Sequence, residues 1–174
     1  MVRGFSHESS KNKTVEWYTP KHVFDAIGLT FDLDPCSPGK DIVPWIPAKE
    51  CYTVEQNGLM LPWNGNVWMN PPYGHETPIW LGRLASHGLG MALLFSRTDS
   101  KWFHKYTVMA DAICFIKGRI QFINEKNAKA YAADQHAPAL AERPGAGSIL
   151  TAFGEDNAKA LFNSGLGLTM KIGK

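Results

Sequence analysis

The chain has 174 residues, of which 44% are hydrophobic and 20% charged, and its formal net charge is +2. This length supports one domain with a substantial core, and the composition is ordinary for a globular protein. No apolar run reaches the roughly 20 residues of a membrane-spanning helix, and the polar N-terminus lacks the apolar core of a secretory signal. Three widely spaced cysteines, Cys36, Cys51 and Cys114, argue against a disulfide framework and for a reducing cytoplasm.

Residues 1–13 are polar and are expected to form a mobile tail, followed by one domain over residues 14–174. The first helix signal is Thr19-Pro20, with Thr19 predicted as the N-cap and Pro20 at the first helical position. Gly28 predicts the end of that helix. The next residues alternate between apolar and polar, which predicts a strand that ends at Asp34.

Strand and helix signals continue to alternate along the rest of the chain. Further strands are predicted at residues 67–69, 91–95, 112–116, 119–123 and 148–153, and helices at 79–85, 99–109 and 156–162. Residues 35–50 and 124–147 lack periodicity and are predicted to be irregular; a loop as long as the second is usually functional or disordered. The alternation predicts an α/β fold with a doubly wound, mostly parallel sheet.

The tetrapeptide Asn70-Pro71-Pro72-Tyr73 comes directly after the short apolar run at 67–69. Ligands bind at the carboxyl ends of strands in open α/β sheets. The prolines fix φ and remove backbone donors, so an Asn side-chain oxygen and a Pro carbonyl can accept both hydrogens of one exocyclic amine. A Tyr ring can stack on the planar base that carries the amine. The tetrapeptide therefore suits the methylation of an aromatic amine, although a Pro-rich turn that ends a strand would look similar.

Two earlier motifs complement this one. Asp34-Pro35-Cys36 ends the first predicted strand, where a carboxylate can accept from a cationic amino group such as that of a methionyl moiety. Trp17-Tyr18-Thr19-Pro20 precedes the first helix, whose N-terminus can attract a carboxylate. Alone, each motif is as easily a turn or a helix cap. In this order they outline an S-adenosylmethionine site that faces an amine acceptor.

The chain resembles the phage-type DNA N6-adenine methyltransferases (Dam-like) over about residues 16–154. Beyond the three motifs, the matching segments are Asn57-Gly58-Leu59 with Trp63, Gly74 with Trp80, Arg97-Thr98-Asp99, Trp102-Phe103-His104, Phe115-Ile116-Lys117-Gly118-Arg119 with Phe122, and Gly147-Ser148. The resemblance implies a compact methyltransferase domain, S-adenosylmethionine as donor, and adenine in double-stranded DNA as acceptor. It also implies a bacterial host cell and a phage or prophage origin, and a GATC-like target site.

The resemblance also assigns residues. It implies catalytic roles for Asn70, Pro71, Pro72 and Tyr73, and cofactor contacts from Trp17, Tyr18, Thr19, Pro20, Asp34, Pro35 and Cys36. The chain departs from the family pattern at two places. Ser37-Pro38-Gly39 stands where a glycine-rich turn is common, and Asn57 stands where an acidic residue is expected. Glu55, two positions earlier, is the alternative partner for the cofactor ribose.

DNA contacts are predicted from the charge distribution. Between Arg97 and Lys129 there are seven basic and three acidic residues, a local charge of +4, although a solvated helical face would give the same count. Arg97, Lys117 and Arg119 are the candidates, with residues 117–147 as the recognition segment. Arg and Lys bind phosphates or guanine edges. The histidines show no metal-ligand spacing, and no metal is expected.

Two alternatives stay open from the sequence. The same tetrapeptide suits a methyltransferase that acts on RNA or on a protein glutamine. The missing glycine turn also allows a catalytically inactive module that binds DNA or cofactor. Methyl transfer to DNA, measured against RNA and protein controls, separates them.

Overall fold

The computed structural model of the protein describes residues 17–135 and 145–173. The tail predicted at residues 1–13 and part of the predicted recognition segment, residues 136–144, lie outside the described residues. Within the described ranges, no helix is long and apolar enough to span a lipid bilayer.

Helices and strands alternate along the described chain, except that β1, β2 and β3 follow one another directly. The helices are α1 (Lys21–Ile27), α2 (Thr77–His87), α3 (Lys101–Tyr106), α4 (Glu125–Ala133) and α5 (Glu155–Asn163), and a 3₁₀ turn, Thr107–Met109, follows α3. The strands are β1 (Phe31–Asp34), β2 (Ala48–Cys51), β3 (Val67–Met69), β4 (Gly90–Phe95), β5 (Ala112–Ile116), β6 (Ser148–Phe153) and β7 (Gly167–Lys171). An α/β fold is therefore confirmed.

The seven strands form one sheet in the order β2-β1-β3-β4-β6-β5-β7. The pairs β1–β2, β1–β3 and β3–β4 are parallel, whereas β4–β6, β5–β6 and β5–β7 are antiparallel. The sheet is mixed, with three parallel and three antiparallel pairs, so the predicted doubly wound, mostly parallel sheet is not confirmed.

The antiparallel half follows from where the connections lie. Phe115, near the end of β5, pairs with Ile149, near the start of β6. The segment between β5 and β6 thus leaves and re-enters the sheet at the same edge, and β6 must run back between β4 and β5. Helical and strand periodicity carry no information on which edge a connection follows, so the sequence pattern could not give this direction.

Buried side chains form a core on each face of the sheet because successive strand residues point to opposite faces. Trp68 in β3 packs against Phe24 of α1 and Phe31, with ring centroids 4.6 and 5.5 Å apart. The same cluster includes side chains of α4 and α5. The neighbouring Met69 belongs to the second cluster, which contains the buried face of α2. The tryptophans Trp45, Trp63 and Trp68 are all buried in these clusters.

Several predicted elements need correction. Residues 124–147 contain helix α4, and residues 35–50 contain the start of β2. The strand predicted at 119–123 is reduced to one bridge between Ile123 and Tyr18. The edge strand β7 was not predicted at all.

Candidate active site

Three neighbouring parallel strands end side by side at one edge of the sheet, here called the carboxyl edge. β1 ends at Asp34, β3 at Met69 and β4 at Phe95, and these strands are adjacent in the order β1-β3-β4. Their loops therefore lie together, as at the ligand sites of open α/β sheets. Two of the predicted motifs, Asp34-Pro35-Cys36 and the Asn70 loop (residues 70–74), are these loops.

The side-chain amide of Asn70 is hydrogen-bonded at both ends. Its Nδ2 donates to the backbone carbonyl oxygen of Trp17 at 2.6 Å. Its Oδ1 accepts from the hydroxyl of Tyr73 at 2.8 Å. A carbonyl oxygen has two lone pairs, so Oδ1 retains the capacity to accept a second hydrogen bond.

Tyr73 stacks on the side chain in which β4 ends. The rings of Tyr73 and Phe95 lie 3.8 Å apart between centroids and 15° from parallel. Burial raises the pKa of the Tyr73 hydroxyl well above its usual range, so the hydroxyl stays protonated and remains a donor. The ring is therefore fixed by one stacked neighbour and one hydrogen bond.

Thr77, at the start of α2, fixes the far end of the Asn70 loop. Its hydroxyl donates to the Pro72 carbonyl at 3.0 Å and accepts from the Gly74 backbone N–H at 3.1 Å. Gly74 has φ of 119°, a conformation that L side chains rarely adopt. Pro71 is buried and Pro72 is exposed, so the proline pair turns the chain out from the core towards the loop surface.

Asp34 is a buried carboxyl beside this loop, only 3% exposed. Burial raises its pKa to about 7, although the Cys36 backbone N–H donates to it at 3.2 Å. Burial also raises the pKa of the Cys36 thiol well above its usual range, and the backbone N–H of Asn70 lies against that thiol. The Asp34 carboxyl is hydrogen-bonded by the Cys36 N–H, the Ser37 hydroxyl and the Cys36 thiol. A buried acid with these neutral partners fits a cationic ligand group.

The N-terminal segment (residues 17–20) contacts the Asn70 side chain through the Trp17 carbonyl. The prediction that Thr19 caps α1 is wrong, because the N-cap is Pro20, whose carbonyl accepts from the Val23 N–H at 3.1 Å. The Thr19 carbonyl accepts from the Trp45 indole at 2.8 Å. The Thr19 hydroxyl is buried without a hydrogen-bond partner among the described residues.

Glu55 and Asn57 lie exposed on the loop after β2. Asn57 has φ of 52°, in the left-handed region. The following Gly58 packs directly on the Pro35 backbone, since a Cβ there would lie 1.9 Å from the Pro35 carbonyl oxygen. The structure thus brings this loop to the Asp34 loop, with both predicted ribose contacts on its solvent side.

The predicted DNA contacts, Arg97, Lys117 and Arg119, are all exposed. Arg97 follows β4 and Lys117 follows β5, so both come at the carboxyl edge. Lys117 and Arg119 line a surface hollow of about 290 Å³, and His22 lies on its wall. Burial lowers the pKa of His22, which favours its neutral form.

The structure also reveals residues that sequence reasoning missed. Phe95 ends a strand that was predicted, and an aromatic residue at that point was the available signal. No sequence signal was available for Thr77 or for the Trp17 carbonyl, because their roles depend on contacts that no local pattern encodes.

Fold and site together define an α/β protein with a cluster of polar side chains at the carboxyl ends of parallel strands. The chain belongs to the DNA N-6-adenine-methyltransferase (Dam) family, whose model matches residues 6–149. Membership implies the methylation of adenine in DNA, with S-adenosylmethionine as the donor that methyltransferases generally use. Comparison with curated proteins and with solved structures finds no match.

Proposed function

We propose that the protein transfers a methyl group from S-adenosylmethionine to the exocyclic amine of an adenine flipped out of double-stranded DNA. The observation that carries this proposal is the Asn70 side chain, held at the carboxyl edge with its oxygen beside Tyr73. Family membership supplies the class of reaction.

Asn70 and Pro71 would bind the target amine. That nitrogen is a poor nucleophile because its lone pair is delocalised into the ring. Hydrogen bonds to Asn70 Oδ1 and to the Pro71 carbonyl would favour a pyramidal nitrogen and localise the lone pair. The remaining requirement is alignment. A general base with a shifted pKa is not needed, since the methylated ammonium loses its proton readily.

Tyr73 would receive the flipped base. A base inside a duplex must leave the stack to reach a buried site, at a cost of a few kcal/mol. Stacking on an aromatic ring returns roughly 1–3 kcal/mol per base. One face of the Tyr73 ring lies on Phe95, so the opposite face would take the adenine.

The residues around Asp34 fit the cofactor. S-adenosylmethionine supplies an activated methyl group on a sulfonium. Asp34 would bind its amino group, because a cation stabilises the ionised carboxylate, which burial alone disfavours. The N-terminal segment, Pro35, Cys36, Glu55 and Asn57 would complete the contacts. The buried Thr19 hydroxyl, which has no hydrogen-bond partner among the described residues, would be a further donor.

DNA would lie across the carboxyl edge. Arg97, Lys117 and Arg119 present positive charge there, at the edge that carries Asn70. The hollow beside Lys117 and Arg119 would accept backbone phosphate.

Transfer of a labelled methyl group to an unmethylated duplex tests the proposal, with RNA and a glutamine-containing protein as parallel substrates. We expect DNA alone to be labelled, at the adenine N6. We also expect Asn70→Ala to abolish labelling without a change in the circular dichroism spectrum, since this side chain is only half-buried and belongs to neither core cluster. Turnover of Asn70→Ala close to that of wild type would contradict the mechanism.

A further inference from the structure

The orientation of the Asn70 amide decides whether it can act on an amine. A carboxamide rotated by 180° exchanges its oxygen for its NH₂ group, and the NH₂ group cannot accept a hydrogen bond. The Tyr73 hydroxyl does not choose between the two orientations, because a hydroxyl both donates and accepts. The Trp17 carbonyl does choose, because it can only accept. Its 2.6 Å contact with Nδ2 therefore turns Oδ1 to the side of Tyr73.

The position of the Trp17 carbonyl depends on residues distant in sequence. The neighbouring Tyr18 exchanges two backbone hydrogen bonds with Ile123, of 2.7 and 2.9 Å. The Trp17 ring meets the buried Phe122 edge-on, with centroids 5.9 Å apart. Phe122 and Ile123 follow Lys117 and Arg119 in the predicted recognition segment. The Trp17 carbonyl, which orients Asn70, is thus held in place by residues near the start of that segment.

We propose that Trp17 is a positioning residue, whose backbone carbonyl selects the accepting orientation of Asn70 and whose ring, packed on Phe122, ties that orientation to the recognition segment. The proposal rests on the proposed function, in which Asn70 Oδ1 accepts from the target amine. Misorientation would slow the chemical step while leaving DNA affinity intact, because geometric errors of about 1 Å can cost on the order of 100-fold in rate.

Trp17→Ala and Trp17→Phe test the role of the ring. Trp17→Ala removes the contact with Phe122 and leaves every backbone group in place. At saturating donor and DNA we expect kcat to fall about tenfold or more, with the DNA dissociation constant unchanged. Trp17→Phe retains an aromatic edge against Phe122, so we expect it to recover most of kcat. Phe122→Leu weakens the same contact by changing its other partner, and it should also lower kcat.

Leu29→Ala is the matched control for lost packing. Leu29 is also partly buried against the same core cluster, but it precedes β1 and lies at the opposite edge of the sheet. We expect this variant to lower the melting temperature comparably to Trp17→Ala while kcat stays at the wild-type value. Equal losses of kcat in the two variants would show a general loss of stability and overturn the proposal.

The side-chain amide of Asn70 gives a readout that needs no turnover. Its proton–nitrogen NMR signals can be assigned by their absence in Asn70→Ala. We expect one Asn70 amide proton to exchange slowly with solvent in the wild type and quickly in Trp17→Ala. An unchanged exchange rate would overturn the proposal, as would a Trp17→Ala protein that loses donor affinity but keeps kcat at saturation. A wild-type protein that methylates nothing would sink the proposed function, while the amide signal would still decide whether Trp17 orients Asn70.

Discussion

Tyr73 combines two functions that single substitutions can separate. Its ring stacks on Phe95, and its hydroxyl donates to the Asn70 oxygen. Tyr73→Phe keeps the stack and loses only a neutral hydrogen bond, worth about 1 kcal/mol. We expect a several-fold loss of single-turnover methylation rate.

Tyr73→Ala removes the aromatic ring as well, and with it roughly 1–3 kcal/mol of stacking energy with the base. We expect the single-turnover rate to fall by about 10- to 100-fold relative to wild type. Rapid-quench measurement of labelled duplex at saturating enzyme gives both rates. If the two variants were equally impaired, the hydroxyl rather than the ring would be the important group.

Asp34 gives cofactor binding a dependence on pH. Burial raises its pKa to about 7, so below pH 7 the carboxyl is mostly neutral. A cationic amino group pairs with the ionised form, and binding below pH 7 must therefore release a proton. We expect affinity for S-adenosylmethionine to rise by up to about tenfold per pH unit below pH 7 and to level off above it.

Calorimetry in two buffers of different ionisation enthalpy measures this proton release directly. We expect close to one proton at pH 6 and close to none at pH 8. Asp34→Asn is the control: it should bind more weakly and without this pH dependence. Release that persists in Asp34→Asn would assign the proton to another group.

At the scale of elements, strands buried on both faces were predictable and exposed ones were not. The predicted bounds of β3, β5 and β6 are confirmed, because each is a bounded run of mostly apolar residues. β2 carries Lys and Glu at its centre, and β7 exposes both Leu168 and Met170. In β7, Leu168 and Met170 do alternate with polar residues, but this apolar face is exposed rather than packed on the core, so the short alternation is a weak signal.

Helix α4 was missed for a related reason. It is rich in Ala and Lys and buries only Ala128 and Tyr131, so its sequence shows no apolar stripe. Its start signal was present: the Asn124 side chain accepts from the Asn127 N–H at 3.1 Å, and Asn is a favoured N-cap. The site motifs were found by local order, whereas the contact between Trp17 and Asn70 spans 53 positions and has no local signature.

Gly58 connects two elements of the site, and its substitution tests their packing. A Cβ at this position would lie 1.9 Å from the Pro35 carbonyl oxygen and 2.9 Å from its carbon. Since backbone cannot yield as a side chain does, Gly58→Ala must displace the loop after β2 from the Asp34 loop. We expect a loss of about 1–3 kcal/mol in unfolding free energy and weaker cofactor binding.

Urea unfolding and calorimetry measure these two effects. Gly173→Ala is the control, because a Cβ there meets nothing within 4 Å and the residue lies outside the site. Gly58→Ala with wild-type stability and affinity would show that the two loops move apart without cost.

At the scale of the whole molecule, the small net charge of +2 conceals an uneven distribution. The basic residues that follow β4 and β5 come at the carboxyl edge, where Asn70 also lies. The mixed direction of the sheet contributes to this arrangement. Because the connection from β5 to β6 starts and ends at the carboxyl edge, the two described ends of the predicted recognition segment lie at the same edge as Asn70. A parallel crossover would have ended it at the opposite edge.

Arg119→Ala tests whether this edge binds DNA. We expect the DNA dissociation constant to rise while donor affinity stays unchanged. If Arg119 contacts a phosphate, the loss should be equal on cognate and scrambled duplexes, and the slope of log affinity against log salt should fall by about one. If it reads a guanine, the loss should appear mainly on the cognate site, by roughly 1–3 kcal/mol.

Filter binding at several salt concentrations distinguishes these two outcomes, with Lys171→Ala as the matched control. Lys171 is an exposed cation in β7 that pairs with Ala112 at the start of β5, so it lies at the edge of the sheet opposite to Asn70. Removing one positive charge there should leave DNA affinity and its salt slope almost unchanged. Equal effects of the two substitutions would mean that DNA affinity depends only on the net charge of the protein. Unaltered affinity of Arg119→Ala on both duplexes would show that Arg119, near the start of the predicted recognition segment, does not bind DNA.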